Sequence, residues 1–489
     1  MNYLNKNIME KIGLYYVLNH LSTSSVYGRH MLHNLNFISE KQKLLVEYNN
    51  IKKCMPLVKK KKFFNNFTDL LAKFKDLTNT FIKSKNGKIL DEIELYEIKY
   101  FIKLCIALKQ LLEKYDFQIK EIVMYDFSHI YKLLNPLNSE TSSFYIYDEY
   151  SQKLREIRYM RKKYDRDIFK EKDTEKQKEM FEKRQQIISM EKDEELNIRK
   201  LLSSHISKYA DKFLNQIFSI GNIDFLMARS KLALDYNMCC PRICNQIKIS
   251  MNKGINPMVK AEVVKRGGKF FPVSIEVSSG STIITGANMG GKTVLLSTIA
   301  LNYIIASMGF YVFANDFEFA LLDFVYFLYE DLESIKNGLS TFGGEILELK
   351  KILNMIKSEN GLVILDEFAR GTNPVEGTNI IKALLSYIND FSSIFIMSTH
   401  YDGVCSFAKH HYQIKGLKYV DFNMLKKNVK SELECLNIIN DFMDYTLELV
   451  DKNTRVPRDA VNICLLMGID EKIINTAQKL YDKEDEGET

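Results

Sequence analysis

No apolar run in this chain is long enough to cross a bilayer, and the opening Met1-Asn2-Tyr3-Leu4-Asn5-Lys6 lacks the apolar core of a secretory leader. Both absences predict a cytoplasmic protein with no membrane partner. Cysteine is scarce as well. Eight are scattered over 489 residues, which argues against a disulfide framework. Cys239, Cys240 and Cys244 cluster, but no histidine lies near them at zinc-ligand spacing, so a thiol cluster is expected there rather than a metal site. Nor does one sign of charge dominate. The net charge of +6 permits nucleic-acid binding without arguing for it.

Glycine and proline are nearly missing from one half. Four glycines and two prolines precede residue 241, against eighteen and five from there on. The first half is therefore predicted helical and the second α/β. Residues 91–115 repeat apolar side chains at helical spacing: Ile93, Leu95, Ile98, Phe101, Ile102, Cys105, Leu108, Leu111 and Leu112. Residues 149–218 contain no glycine or proline and are dense in Lys, Arg, Glu and Gln. That composition predicts two long helices turning near Lys172-Asp173-Thr174, an arm or lever rather than an active site. Beyond Asn245, short β-branched or aromatic runs appear at Val273–Val277, Ser281–Thr285, Phe310–Phe313, Phe324–Tyr329, Leu362–Leu365 and Ile394–Ser398. Their alternation with helical stretches predicts a sheet with parallel strands and flanking helices.

Residues 286–293 read Gly-Ala-Asn-Met-Gly-Gly-Lys-Thr and fit the phosphate-loop pattern, with Gly286, Gly291, Lys292 and Thr293 at its fixed positions. A β-branched run precedes the loop, and a stretch free of glycine and proline, Val294 to Met308, follows it. In that context the backbone N–H groups of Gly286, Ala287, Asn288, Met289, Gly290 and Gly291 are expected to cradle phosphates at a helix N-terminus. Lys292 is expected to reach the β- and γ-phosphates of ATP, and Thr293 to ligate Mg²⁺.

Leu362-Val363-Ile364-Leu365-Asp366-Glu367 is an apolar strand ending in two carboxylates, at the sheet edge where α/β folds bind ligands. Asp366 is expected to hold Mg²⁺, and Glu367 to orient or deprotonate the attacking water. Ile394–Ser398 leads to Thr399 and His400, and the imidazole is expected to sense the γ-phosphate or the water. Ser340-Thr341-Phe342-Gly343-Gly344-Glu345 precedes another helical stretch, for which Ser340 or Thr341 can serve as the cap.

Gly286–Thr293, Ser340-Thr341-Phe342 with Glu345, Asp366-Glu367 with Arg370-Gly371-Thr372, and Ser398-Thr399-His400-Tyr401 together resemble the MutS family of ABC-class ATPases. Ile255-Asn256-Pro257-Met258-Val259 resembles the element opening that family's ATPase domain. Val456-Pro457-Arg458-Asp459-Ala460-Val461 to Leu480 resembles the helices through which those domains pair. The resemblance implies an ABC-type (P-loop) α/β ATPase domain preceded by a mainly α-helical core or lever domain. Its expected parts are a helical region over 1–144, a long-helix lever over 145–244, the ATPase domain over 245–420, and dimerisation helices with an acidic tail over 421–489. It further implies a homo- or heterodimer with shared ATP sites. Asn288 is then expected to contact the γ-phosphate, Ser340 and Thr341 to complete the partner subunit's site, and Phe270 or Phe271 to stack on adenine. A core-facing aromatic is the other reading of those two residues.

The chain also departs from the family. No counterpart of the Phe-x-Glu wedge of mismatch-recognition members is visible before residue 145, and no nuclease-like domain is expected after the pairing helices. The client is therefore open. DNA could meet the basic residues Lys153, Arg155, Arg158, Arg161, Lys162, Lys163 and Arg166. A protein client is weighed slightly above DNA, because the DNA-reading parts are absent; some short MutS-like chains that resemble this one serve as the ATPase part of a reactivase for an adenosylcobalamin-dependent lysine aminomutase. A structural partner with a vestigial site is a third reading.

Overall fold

The computed structural model describes residues 6–138, 145–286, 291–329, 341–401, 403–416, 444–450, 461, 464 and 468–487. Contacts divide the chain into two units, each drawn from separated stretches. One comprises Met1–Leu21, Asn36–Ile51 and Lys231–Thr489, and the other Ser22–Leu35 and Lys52–Ser230.

The second unit is helical. Helix α1, Glu92–Lys114, starts with a capping box in which the Asp91 side chain accepts from the Glu94 N–H and Glu94 reaches back to the Asp91 N–H. Its predicted apolar face is buried except at Leu111, which is half-buried, and at Ile93, which is 70% exposed. Ile93 stands two positions from Leu95, so the helical turn points it to the opposite side. In a chain without tryptophan, phenylalanines fill the core around this helix. Phe213 stacks on Phe81 at 4.5 Å and on Phe127 at 4.2 Å between ring centroids, with Phe101 edge-on.

Helices α2, Gln152–Lys170, and α3, Thr174–Ser207, form the predicted hairpin. Asp173 caps α3 by accepting from the Glu175 and Lys176 N–H groups. Arg158 joins the two helices. Its guanidinium pairs with Glu191 at 2.9 Å and Glu195 at 2.6 Å, and also with Asp148. Arg161 shares Glu191, and Lys153 pairs with Glu194. Three of the seven cations considered for phosphate contact thus hold the hairpin itself together. Arg155, Lys162, Lys163 and Arg166 stand exposed.

The first unit is α/β. Its smaller sheet holds β1 (Arg242–Cys244), β2 (Lys248–Gly254), β3 (Val273–Ser278) and β5 (Asp316–Ala320), in the order β1-β5-β2-β3. Its larger sheet holds β4 (Gly280–Thr285), β6 (Phe324–Leu328), β7 (Gly361–Asp366), β8 (Ile394–Ser398), β9 (His410–Gly416) and β10 (Asp444–Leu449), in the order β10-β9-β4-β8-β7-β6. All neighbours there are parallel except β10 and β9. Helices α4 (Lys292–Ser307), α5 (Thr341–Met355) and α6 (Pro374–Ile388) connect the strands, and α7 (Glu471–Gly487) comes last.

Every residue of β7 is buried, as expected for a parallel strand covered on both faces. Leu362, Val363, Ile364 and Leu365 are each fully enclosed, which stabilises the fold by about 2 kcal/mol apiece. Helix α4 is apolar nearly all round and correspondingly buried, including Leu295, Leu296, Ile299 and Ile304.

The predicted strand at Phe310–Phe313 does not form. Those residues are buried, but only Val312 pairs, in a single bridge to Cys239. The strand lies further on, at Asp316–Ala320, where Phe317 and Phe319 alternate inward between acidic residues. Burial alone selected the aromatic residues of the earlier run. Asn256 caps the helix Pro257–Lys265 by accepting from the Met258 and Val259 N–H groups, and its amide donates to the Ile12 carbonyl at 3.0 Å.

Candidate functional site

The parallel strands converge at their carboxyl ends, where β4 is followed by Gly286 and then, after the undescribed residues Ala287, Asn288, Met289 and Gly290, by Gly291 and α4. Gly291 caps α4 at φ 78°, a left-handed conformation suited to glycine. A Cβ there would also come within 3.2 Å of the Tyr445 ring. Lys292 opens the helix and is only 3% exposed. Its ammonium donates to the Gly286 carbonyl at 2.8 Å and lies 3.5 Å from a Glu367 oxygen. Burial pushes the Lys292 pKa down, while Glu367 and Asp366 pull it up.

Thr293, one residue on, donates its hydroxyl to Asp366 Oδ2 at 2.7 Å. The other Asp366 oxygen accepts from the Ser398 hydroxyl at 2.6 Å. Strand register accounts for this contact, because β7 and β8 pair Asp366 with Ser398. The same hydroxyl accepts from the Glu367 N–H at 2.9 Å. Glu367 itself sits at φ 51°, and Arg370 donates to its carboxylate at 3.0 Å. Two cations, Lys292 and Arg370, therefore flank one glutamate at the tip of β7.

The structure brings Gly286, Lys292, Thr293, Asp366 and Glu367 together at this edge. His400 stands exposed beyond β8, its ring 4.7 Å from that of Tyr401. Ser340 lies outside the described residues, and Thr341 is described only as the first residue of α5. Of the two candidate aromatics, Phe271 faces Tyr445, the ring that crowds Gly291, with centroids 5.6 Å apart. Lys269 lies 5.5 Å over the Phe271 ring.

Sequence reasoning missed two contributors. Ser398 was visible as the polar end of an apolar strand and as the first residue of the Ser398-Thr399-His400-Tyr401 motif, but with no role of its own, and its bridging contacts follow from a register that one sequence does not reveal. Tyr445 lies far from the loop in the chain and carries no local motif.

Polar oxygen and nitrogen groups thus gather at the carboxyl edge of a parallel sheet, the edge at which α/β domains bind ligands. Residues 282–483 match the family model for MutS domain V. The chain is 30% identical to the "Endonuclease MutS2" of Acetivibrio thermocellus over 44% of its own length and 27% of that relative's. It is 34% identical to the "DNA mismatch repair protein MutS" of Ehrlichia ruminantium over 45% of this chain and 27% of the other. Identity to the human "DNA mismatch repair protein Msh3" is 27%, over 50% of this chain and 22% of the relative. Over residues 282–483 the chain is of the MutS family. The matches span about a quarter of the relatives' length. Among the described residues, no helix is long and apolar enough to cross a membrane.

Proposed function

We propose that this chain binds and hydrolyses ATP with Mg²⁺, as a dimer, and couples the closure of paired sites to a client. The observation that supports this reading is the Lys292–Glu367 and Thr293–Asp366–Ser398 cluster at the end of the loop strand. Lys292 neutralises phosphate charge. Burial already disfavours its ammonium, so an anion at the loop restores the charged form. Thr293 Oγ1 and Asp366 Oδ2 converge at 2.7 Å, an all-oxygen pair of the kind that holds a hard divalent cation. Mg²⁺ bound there supplies positive charge against the phosphate oxygens. Glu367 orients the attacking water and accepts its proton, and no covalent enzyme intermediate is involved. His400 contacts the γ-phosphate or the water. Asn288 reaches the γ-phosphate, Ser340 and Thr341 complete the partner subunit's site, and Phe271 with Tyr445 forms the adenine platform.

Two readings of the client remain. The names of the relatives, a mismatch repair protein and an endonuclease, support DNA. In that reading the exposed Arg155, Lys162, Lys163 and Arg166 contact phosphates and the hairpin α2–α3 is the lever. A protein client, such as an inactivated cobalamin-dependent aminomutase, is supported by the internal pairing of Arg158, Arg161 and Lys153 and by exposed aromatics on the same hairpin. Phe169 there is 92% exposed and Tyr159 71%.

The test is steady-state ATP turnover with homoduplex, mismatched and branched DNA, or an inactivated cobalamin enzyme, added in turn at two salt concentrations. Stimulation by DNA that weakens steeply with salt supports the first client. Stimulation by the protein and indifference to every DNA supports the second. A chain with no ATP turnover under any condition refutes the proposal.

A further inference from the structure

The turn that follows β7 holds two non-glycine residues in left-handed conformations, Glu367 at φ 51° and Ala369 at φ 66°. Such conformations persist only where surrounding contacts fix them. At Ala369, which is fully buried, those contacts come from both sides. Its N–H donates to Glu345 Oε2 at 2.9 Å, and its carbonyl accepts from the Tyr401 hydroxyl at 2.7 Å. Glu345 lies on the first turns of α5, and Tyr401 just beyond β8. A third element acts two residues earlier, where Ser398 takes the Glu367 N–H. One short turn is thus held by peptide-group contacts from α5, from the end of β8 and from the segment after it.

Packing around the clamp is tight. Tyr401 is 7% exposed, and a Cβ on Gly377 would approach its hydroxyl to 2.8 Å. Burial, and secondarily the Glu345 carboxylate, push the Tyr401 phenol pKa up, so the hydroxyl stays a donor. What the turn carries is the Glu367 carboxylate, set 3.5 Å from Lys292 and 3.0 Å from Arg370. If the Ala369 N–H loses its acceptor, the backbone can relax to negative φ, and the carboxylate two residues away moves with it.

We infer that Glu345 is a positioning residue for hydrolysis: it clamps the Ala369 peptide, with Tyr401 opposite, and thereby aims Glu367. The inference rests on the ATPase reading above. It assigns Glu345 no contact with nucleotide, so its loss affects turnover and not binding. It also assigns the role to the acceptor oxygen rather than to the negative charge, so a glutamine serves in its place.

The test compares wild type, Glu345→Ala, Glu345→Gln and the double variant Glu345→Ala with Ala369→Gly. Nucleotide Kd, steady-state turnover and amide exchange of the 366–371 segment are measured on each. Glu345→Ala is expected to lose turnover on the order of tenfold to a hundredfold, the effect of a displaced catalytic group, with Kd within about threefold of wild type. Exchange in 366–371 rises in that variant. Glu345→Gln keeps wild-type exchange and most of the turnover. Ala369→Gly, which removes the steric penalty of positive φ, restores part of what Glu345→Ala loses. A general packing defect would instead lower binding and turnover together and would not respond to the glycine. Wild-type turnover in Glu345→Ala, unchanged exchange in 366–371, or equal damage from Gln and Ala overturns the inference while leaving the ATPase reading in place. Absence of turnover in wild type overturns the ATPase reading and this role with it.

Discussion

Ser398→Ala removes one hydroxyl that performs two tasks. It donates to Asp366 at 2.6 Å and accepts from the Glu367 N–H at 2.9 Å, in a fully buried position. The alanine leaves that N–H without its acceptor, which costs about 1–3 kcal/mol when no water can replace it. The lost donor to Asp366 adds about 1 kcal/mol or more, since hydrogen bonds to charged groups are the stronger ones. The variant can respond in two ways. If the turn keeps its geometry, the α/β unit loses stability by on the order of 2–4 kcal/mol. If the turn relaxes to regain a partner, stability is partly recovered and Glu367 leaves its place. A 2 kcal/mol loss of transition-state stabilisation then appears as a turnover drop of about thirtyfold. Denaturant unfolding and ATP turnover, measured on the same preparation, separate these outcomes. A Ser398→Ala protein that unfolds and turns over like wild type refutes the assignment of Ser398 as the link between the two acids.

Burial pushes the His411 pKa below its usual value of about 6.5, and its Nε2 lies 2.8 Å from the Thr285 hydroxyl at the end of β4. The unfolded chain therefore takes up a proton that the fold refuses. The stability contributed is full above about pH 6.5 and is lost as pH falls from there toward the depressed folded pKa. His411→Gln should flatten the stability profile across that window, and an unchanged slope in denaturant titrations between pH 5 and 7 would contradict this. In the hairpin, Arg158→Ala removes the partner of Glu195 and Asp148 and leaves Glu191, whose side chain is 7% exposed, to Arg161 alone, and should cost on the order of 2 kcal/mol. Arg161→Ala, at a side chain 34% exposed, should cost less than about 1 kcal/mol. Amide exchange over 152–207 reads both, and equal effects would argue against Arg158 as the hub.

The local pattern of the chain carried much of the architecture. Apolar spacing marked α1, and the absence of glycine and proline marked α2 and α3, whose turn was expected near 172–174 and lies at 171–173. Strands β4, β6, β7 and β8 stood out because buried parallel strands are continuous apolar runs, whereas β3, antiparallel to β2, stood out as a β-branched run whose buried residues alternate with exposed ones. Strands β9 and β10 did not. His410-His411-Tyr412-Gln413 is polar, and it pairs because β4 offers an open edge, which is a tertiary cause. Phe310–Phe313 misled because aromatic enrichment reports burial as readily as strand. Two units built from separated stretches leave no mark in composition. At the site, motif spacing identified Lys292, Thr293, Asp366 and Glu367. The parts that hold them, Ser398, the clamp on Ala369 and the Tyr445 ring over Gly291, depend on register and on backbone conformation at two left-handed residues.

In the proposed ATPase, Glu367, which follows β7 and lies 3.5 Å from Lys292, orients the attacking water and accepts its proton. The most direct test of this role is Glu367→Gln beside Lys292→Ala, with nucleotide Kd and steady-state ATP turnover measured on both. Glu367→Gln is expected to bind ATP as wild type does and to lose turnover by about 10²–10⁴-fold, the share of a general base. Lys292→Ala should instead lose binding itself. Glu367→Gln hydrolysing ATP at the wild-type rate, or Lys292→Ala binding ATP unimpaired, would contradict this reading.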